Sequence, residues 1–279
     1  MDQARSGWWL ASDGRWYPTQ ANANPAQSRR PPTSRAAITA GLSAAIVAGL
    51  VLLAVVASSS TGPAATAPAP TVTAPVGPAR TLLNQAARDA GLERWVHIVV
   101  SATAGTTATV VTGDAGPSEG QQTVRQGSQS ATAIYVGNVG YVHVDSVSLA
   151  QALGLTIAPA AVGRWISYTP SDHAYASVIQ GLTLPSALGE LLSASGHLTM
   201  GTSTTVDGQS VVPITAETRV RGGQLVKATI DVTRSAHPLP VEINASSTGA
   251  SETVIFSQWG VAVAIAAPSG AQPAASFAG

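Results

Sequence analysis

The chain has 279 residues, and only 10% of them are charged, against roughly 25% in an ordinary soluble domain. Its 14 basic and 14 acidic residues cancel, so no whole-chain charge points to nucleic acid as a partner. Cysteine is absent, which excludes disulfides, thiolate metal sites, a Cys nucleophile and a lipid-modified Cys.

Charge is distributed unevenly. Residues 1–35 carry Arg5, Arg15, Arg29, Arg30 and Arg35 against Asp2 and Asp13, a net of +3, whereas residues 58–279 sum to −3. Within the first segment, GWWLASDGRWYP (residues 7–18) reads as a small hairpin. Asp13-Gly14 suits its turn, because Gly tolerates positive φ and Asp is among the next most tolerant. Trp8 and Trp9 then face Trp16 and Tyr17 across the strands. A two-stranded hairpin of this size is marginal alone. The stretch resembles a short Trp-rich module, GWW…SDGxWYP, found at the start of many actinobacterial membrane proteins. The resemblance carries no assigned chemistry. Trp8, Trp9, Trp16 and Tyr17 are either a docking surface for a cytoplasmic protein partner, a small self-packed hairpin, or aromatics resting at the membrane interface. Residues 19–35 are polar and Pro-containing, as in a linker.

Residues 36–57, AAITAGLSAAIVAGLVLLAVVA, carry no charge and no Pro. As a helix they rise roughly 33 Å, about the thickness of a bilayer's hydrocarbon core. Arg29, Arg30 and Arg35 precede this run, and no basic residue follows it until Arg80. The positive-inside rule then places the amino terminus in the cytoplasm and the rest of the chain outside. The apolar run is longer than the core of a cleaved signal peptide, so an uncleaved, single-pass anchor in the cell membrane is expected. Gly41, Ala45 and Gly49 recur every fourth residue, a spacing that lets two such helices approach closely. Residues 58–79 are rich in Pro, Ala and Thr without charge, and read as a spacer.

Residues 80–279 form the expected extracytoplasmic domain. Arg80 to Ala90 is a helix with Leu82, Leu83, Ala86, Ala87 and Ala90 on one face and Gly91 as its stop. Short period-two runs follow at 96–101, 107–112, 121–125, 131–136 and 140–144, the pattern of an antiparallel meander. The period then changes. Helices are expected at 146–153, 171–179 and 186–192, the last started by Pro185, with one strand at 164–168 between them. Strands resume at 198–205, 210–218, 224–232, 239–245 and 251–257, ending with 261–265. Many strands and a few clustered helices make an α+β fold: a large curved antiparallel sheet with helices on its concave face, preceded by one transmembrane helix.

This order of elements resembles the actinobacterial envelope lipoproteins that carry lipids, the LppX/LprG type of the LolA-like half-barrel fold. The matching residues are Val96-His-Ile, Ala133-Ile-Tyr-Val-Gly-Asn-Val-Gly-Tyr-Val-His143, Gly163-Arg-Trp-Ile-Ser167, Pro238-Leu-Pro-Val241, Phe256-Ser-Gln-Trp-Gly260 and Ala267-Pro268. The resemblance implies a non-enzymatic domain that binds a lipid or other hydrophobic ligand. It departs from that group in offering no Cys to acylate, so the membrane helix stands in for the lipid anchor.

No catalytic residue is nominated. Metal-ligand spacings, a nucleophile elbow and a phosphate-binding glycine loop are all missing, and no cofactor is expected. His143 and Asp145 stand two apart on one expected strand, one ligand short of a metal site. The candidate binding residues are apolar: Leu149, Leu153, Leu155, Ile166, Val178, Ile179, Leu182, Leu191 and Leu192, all in the helical insert. They either line an open pocket for an acyl chain or close on one another as core. In the second case the chain is a structural or signalling scaffold.

Overall fold

The computed structural model describes residues 8–10, 16–18, 77–193, 197–219 and 225–277. The expected membrane helix at 36–57 lies outside them, as does the linker up to residue 76. Among the described residues no helix is long and apolar enough to cross a membrane. The chain divides into two units, Met1–Ala40 and Gly41–Gly279. In the first, β1 (Trp8–Leu10) and β2 (Trp16–Pro18) pair antiparallel, with Trp9 opposite Tyr17 and Leu10 opposite Trp16. The expected turn at Asp13-Gly14 lies outside the described residues.

Among the described residues the first element of the second unit is α1 (Pro78–Leu92). Pro78 is tolerated there because the first N–H groups of a helix have no partner within it. Ala79, Leu83, Ala86, Ala87 and Ala90 form its buried face. The helix begins before the expected Arg80 and runs through Gly91 instead of stopping there. It closes where the Glu93 N–H bonds the Ala90 carbonyl at 3.2 Å.

A meander follows: β3 (Val96–Ala104), β4 (Thr107–Ala115), β5 (Gly120–Gln126), β6 (Gln129–Val136) and β7 (Val139–Val144). The β6–β7 hairpin turns at Gly137 and Asn138, both with positive φ (59° and 64°), the backbone a two-residue turn needs. The insert comprises α2 (Val147–Ala152), β8 (Ile166–Tyr168), α3 (Tyr175–Ile179) and α4 (Leu184–Ser193). Then come β9 (His197–Met200), β10 (Thr204–Val206), β11 (Gln209–Arg219), β12 (Leu225–Thr233), β13 (Pro240–Ser247), β14 (Ala250–Ser257) and β15 (Gln272–Pro273).

Among the described residues these strands make one curved 13-stranded sheet in the order β10-β11-β12-β13-β14-β3-β4-β5-β6-β7-β8-β15, with β9 also on β11. All pairings are antiparallel except β15 on β8. The carboxy-terminal hairpins therefore join the amino-terminal meander through β14 and β3, which makes a single continuous core.

Register explains that core. Ile214, Ile230, Ile243, Val254, Val100, Val111, Val124, Ala131 and Val144 stand opposite one another in one row across nine strands. All nine are buried. Because side chains alternate along each strand, one such row fixes which face is apolar. The helices cover that face: α1 packs on α4 and β13, and α2 and α3 pack on β6 and β7.

Glycines set how closely they pack. Methyl carbons of Val178 and Ile179 in α3 come within 2.8 and 3.1 Å of where a Cβ would stand on Gly140. At Gly120 a Cβ would meet the Asp114 carbonyl oxygen at 2.7 Å and the Leu182 carbonyl carbon at 2.9 Å. The α3–α4 connection is thus pressed onto bare backbone. It is fixed there by the Leu184 N–H to the Gly116 carbonyl (2.7 Å) and by a parallel bridge between Gly116 and Thr183.

Two expected strands differ. The run 198–205 splits into β9 and β10 around Gly201, where a Cβ would lie 2.9 Å from the Pro213 ring. The run 261–265 is irregular: its apolar residues alternate, but Val261 is 54% exposed, and alternation without a face to bury does not make a strand.

Candidate functional site

The apolar face of the sheet and the helices above it enclose the candidate site. Seven of the nine residues nominated from the sequence have described side chains. Leu149, Leu153, Leu155, Ile166, Val178 and Leu182 are at most 3% exposed, and Ile179 packs against the same core. The structure therefore brings these seven together as mutually packed core. Leu191 and Leu192 fall in α4 with side chains outside the described residues.

The cavity in this core lies elsewhere. It occupies ≈ 30 Å³ between the sheet and α4, lined by Ile98, Val100, Val111, Gly113, Ala115, Gln122, Val254 and Phe256 from four adjacent strands, and by Gly181 and Ala187 from above. None of the seven nominated residues with described side chains lines it. Its origin is local. Phe256, Ile98, Gly113, Gln122 and Ala133 form one cross-strand row, and Gly113 leaves a gap in that row. No larger residue fits there, since a Cβ would lie 2.8 Å from the Gln122 Cβ. Most of the lining is apolar; the polar residues on it are Gln122, which is 6% exposed, and Asp114 and Gln121, which alternate toward the other face of their strands.

An isolated Gly inside a strand marks such a close approach or gap. Val-Val-Thr-Gly (110–113) carried that signal, but the expected strand ended at Thr112. The wall strands β3, β4 and β14 read only as period two, and nothing local says which alternate residues face a cavity.

The opposite face of the same strands is polar. His97 Nδ1 lies 2.7 Å from Asp114 Oδ1, and Gln121 Nε2 donates to Asp114 Oδ2 at 3.1 Å. The His143 ring lies tilted against Trp165, 5.4 Å between ring centres, while Asp145 accepts from the Ser130 N–H at 2.7 Å. His143 and Asp145 thus have separate partners. Among the described residues no cluster of three or more His, Cys, Asp or Glu stands ready for a metal.

Two ionisable groups report on local burial. Burial, and then the nearby Glu242 carboxylate, push the Asp231 carboxyl up from its ordinary value. Burial, followed by the adjacent Tyr135 hydroxyl, pushes Tyr175 up to about 12. Tyr175 anchors α3 to the β6–β7 turn, its hydroxyl donating to Asn138 Oδ1 at 3.1 Å.

No family profile and no curated protein matches the sequence. Solved structures do. LprF from Mycobacterium bovis is similar at 16% identity over 69% of this chain and 97% of that one, with a TM-score of 0.48. Mycobacterium tuberculosis lipoprotein LppX is similar at 16% identity over 67% of this chain and 98% of that one, TM-score 0.45. A LolA superfamily protein from Nitrosomonas europaea follows at 11% identity, covering 67% and 94%, TM-score 0.26. LprF and LppX belong to the lipoprotein group that the sequence resembles. The fold described above rests on its own strand order and register, not on these overlaps.

Proposed function

We propose that the sheet domain takes an apolar ligand, an acyl chain or comparable hydrocarbon, between the sheet and α4, and serves as a non-enzymatic carrier or sensor. The observation that carries this reading is the apolar cavity at Gly113, which lies at the interface between two layers. The resemblance to lipid-carrying envelope lipoproteins supports the same class of ligand. In this reading the sheet is a half-barrel with helices on its concave side. The helix at 36–57 holds it at the outer face of the cell membrane, and the Trp8–Pro18 hairpin meets a cytoplasmic protein.

A cavity of ≈ 30 Å³ holds about two waters, and drug-sized ligands need roughly ten times more. Uptake therefore requires α4 and the 180–184 connection to lift from the sheet. Burial of hydrocarbon drives that opening, at about 0.8 kcal/mol per CH₂. The same small volume, with the insert filled by its own leucines, favours a second reading: a closed scaffold that takes up nothing.

Native mass spectrometry of the chain separates the two. A co-purified lipid, or saturable one-to-one uptake of palmitate that weakens in Ala187→Leu, supports the carrier. A ligand-free chain that takes up no palmitate overturns it in favour of the scaffold.

A further inference from the structure

The polar face of the sheet carries a second, larger depression. A groove of ≈ 480 Å³ crosses β4, β5 and β6, lined by Val110, Thr112, Asp114, Gln121, Thr123, Arg125 and Thr132. Register shows why it exists. Thr112, Thr123 and Thr132 stand opposite one another in a single row. On one side runs the row Val110, Arg125 and Ser130, and on the other the row Asp114, Gln121 and Ile134. A floor of short hydroxyl side chains lies between rows that carry the longer Arg125 on one side and Gln121 and Ile134 on the other. Two gaps between three strands at the usual spacing make the row roughly 10 Å long. The floor row continues to His143, the cross-strand partner of Thr132, whose ring lies tilted against Trp165.

The chemistry of the groove is that of a hydroxylated, anionic ligand. Thr hydroxyls both donate and accept, as does the Gln121 amide. They recur once per strand, close to the repeat of a linear hexose chain. The Asp114 carboxylate is engaged by His97 and Gln121. The exposed Arg125 side chain makes no hydrogen bond or ion pair among the described residues, which leaves its fork open to a carboxylate or phosphate. Beyond Thr132 the same row reaches the His143–Trp165 ring pair, an aromatic surface next to the groove.

We propose that this groove binds an acidic oligosaccharide, its hydroxyls along the Thr112–Thr123–Thr132 row and its anionic group at Arg125. The site lies on the sheet face opposite the apolar cavity and stands independently of the ligand proposed there.

The test is calorimetric titration of the full-length chain with a tetramer of galacturonic acid, with neutral maltotetraose, and with inorganic phosphate. Saturable binding of the acidic tetramer is expected. Arg125→Gln should weaken it roughly tenfold or more, the scale of one charge-assisted bidentate contact. Thr123→Val should weaken it roughly threefold to tenfold by removing one hydroxyl. Thr112→Ala, on an exposed residue, gives the same reading should Thr123→Val disturb the sheet. The proposal falls if the acidic tetramer does not saturate, or if maltotetraose binds as well. It also falls if phosphate alone binds as tightly while the threonine variants have no effect, since that describes an anion site without sugar recognition.

Discussion

Gly120→Ala tests how the roof of the cavity is held. The added Cβ would stand 2.7 Å from the Asp114 carbonyl oxygen and 2.9 Å from the Leu182 carbonyl carbon. Both are backbone atoms, so no rotamer relieves the clash and the α3–α4 connection must retreat. Overpacking of this kind costs about 1–3 kcal/mol. Retreat also strains the Leu184–Gly116 hydrogen bond of 2.7 Å and the Gly116–Thr183 bridge, at about 0.5–1.5 kcal/mol for each bond lost. The expected loss is about 2–5 kcal/mol of unfolding free energy, read from urea denaturation followed by far-UV circular dichroism. Gly91→Ala is the control. Gly91 lies inside α1 with nothing near a Cβ, so the same change should stabilise by up to about 1 kcal/mol. A Gly120→Ala chain within about 0.5 kcal/mol of the parent, inside the range of ordinary surface substitutions, would refute this packing of connection on sheet.

Phe256→Ala removes the largest wall of the cavity and its stack on Trp259 at 5.9 Å. It should cost about 3–5 kcal/mol by denaturation while increasing palmitate uptake per folded molecule. Asp231→Asn should raise stability at pH 7 by about 0.2–1 kcal/mol, the scale of a cross-strand like-charge pair. The folded Asp231 carboxyl is raised, so its stabilising contribution is complete below the unfolded value and lost as pH rises through the folded one. The advantage of the Asn variant should therefore shrink on acidification; an advantage unchanged by pH would contradict the cause assigned. Tyr175→Phe should cost about 1 kcal/mol by loosening α3. The ultraviolet phenolate signal of Tyr175 should appear at about 12, with stability falling between the ordinary tyrosine value and that pH. A Tyr175 midpoint near the free-tyrosine value would contradict its burial.

Strand existence was legible in the sequence because burial of one face imposes period two. The runs beginning at Val96, Thr107, Ala131 and Ser251 all became strands. Ends were less legible. Gly91 reads as a helix stop in isolation, yet the helix continues through it. Val261 to Ile265 carries the right alternation, but strandness needs a partner, and partnership is decided at long range. The parallel pairing of Gln272–Pro273 with β8 has no local signature at all. The same holds for the cavity. The leucines of the insert are the obvious apolar side chains, and they satisfy one another. The space sits where a side chain is missing, at Gly113, in a row assembled from β14, β3, β4, β5 and β6. The threonine floor of the polar groove is equally a product of register, since Thr112, Thr123 and Thr132 look unremarkable until three strands align them.

Hydrogen exchange across α4 tests the proposed ligand site most directly, measured with and without palmitate on the intact chain. A pocket that opens at α4 predicts faster exchange in residues 181–189 than in the β3–β4 hairpin without ligand, and marked slowing in that segment once palmitate binds. Exchange in α4 as slow as in the central strands, and unchanged by palmitate, would contradict it.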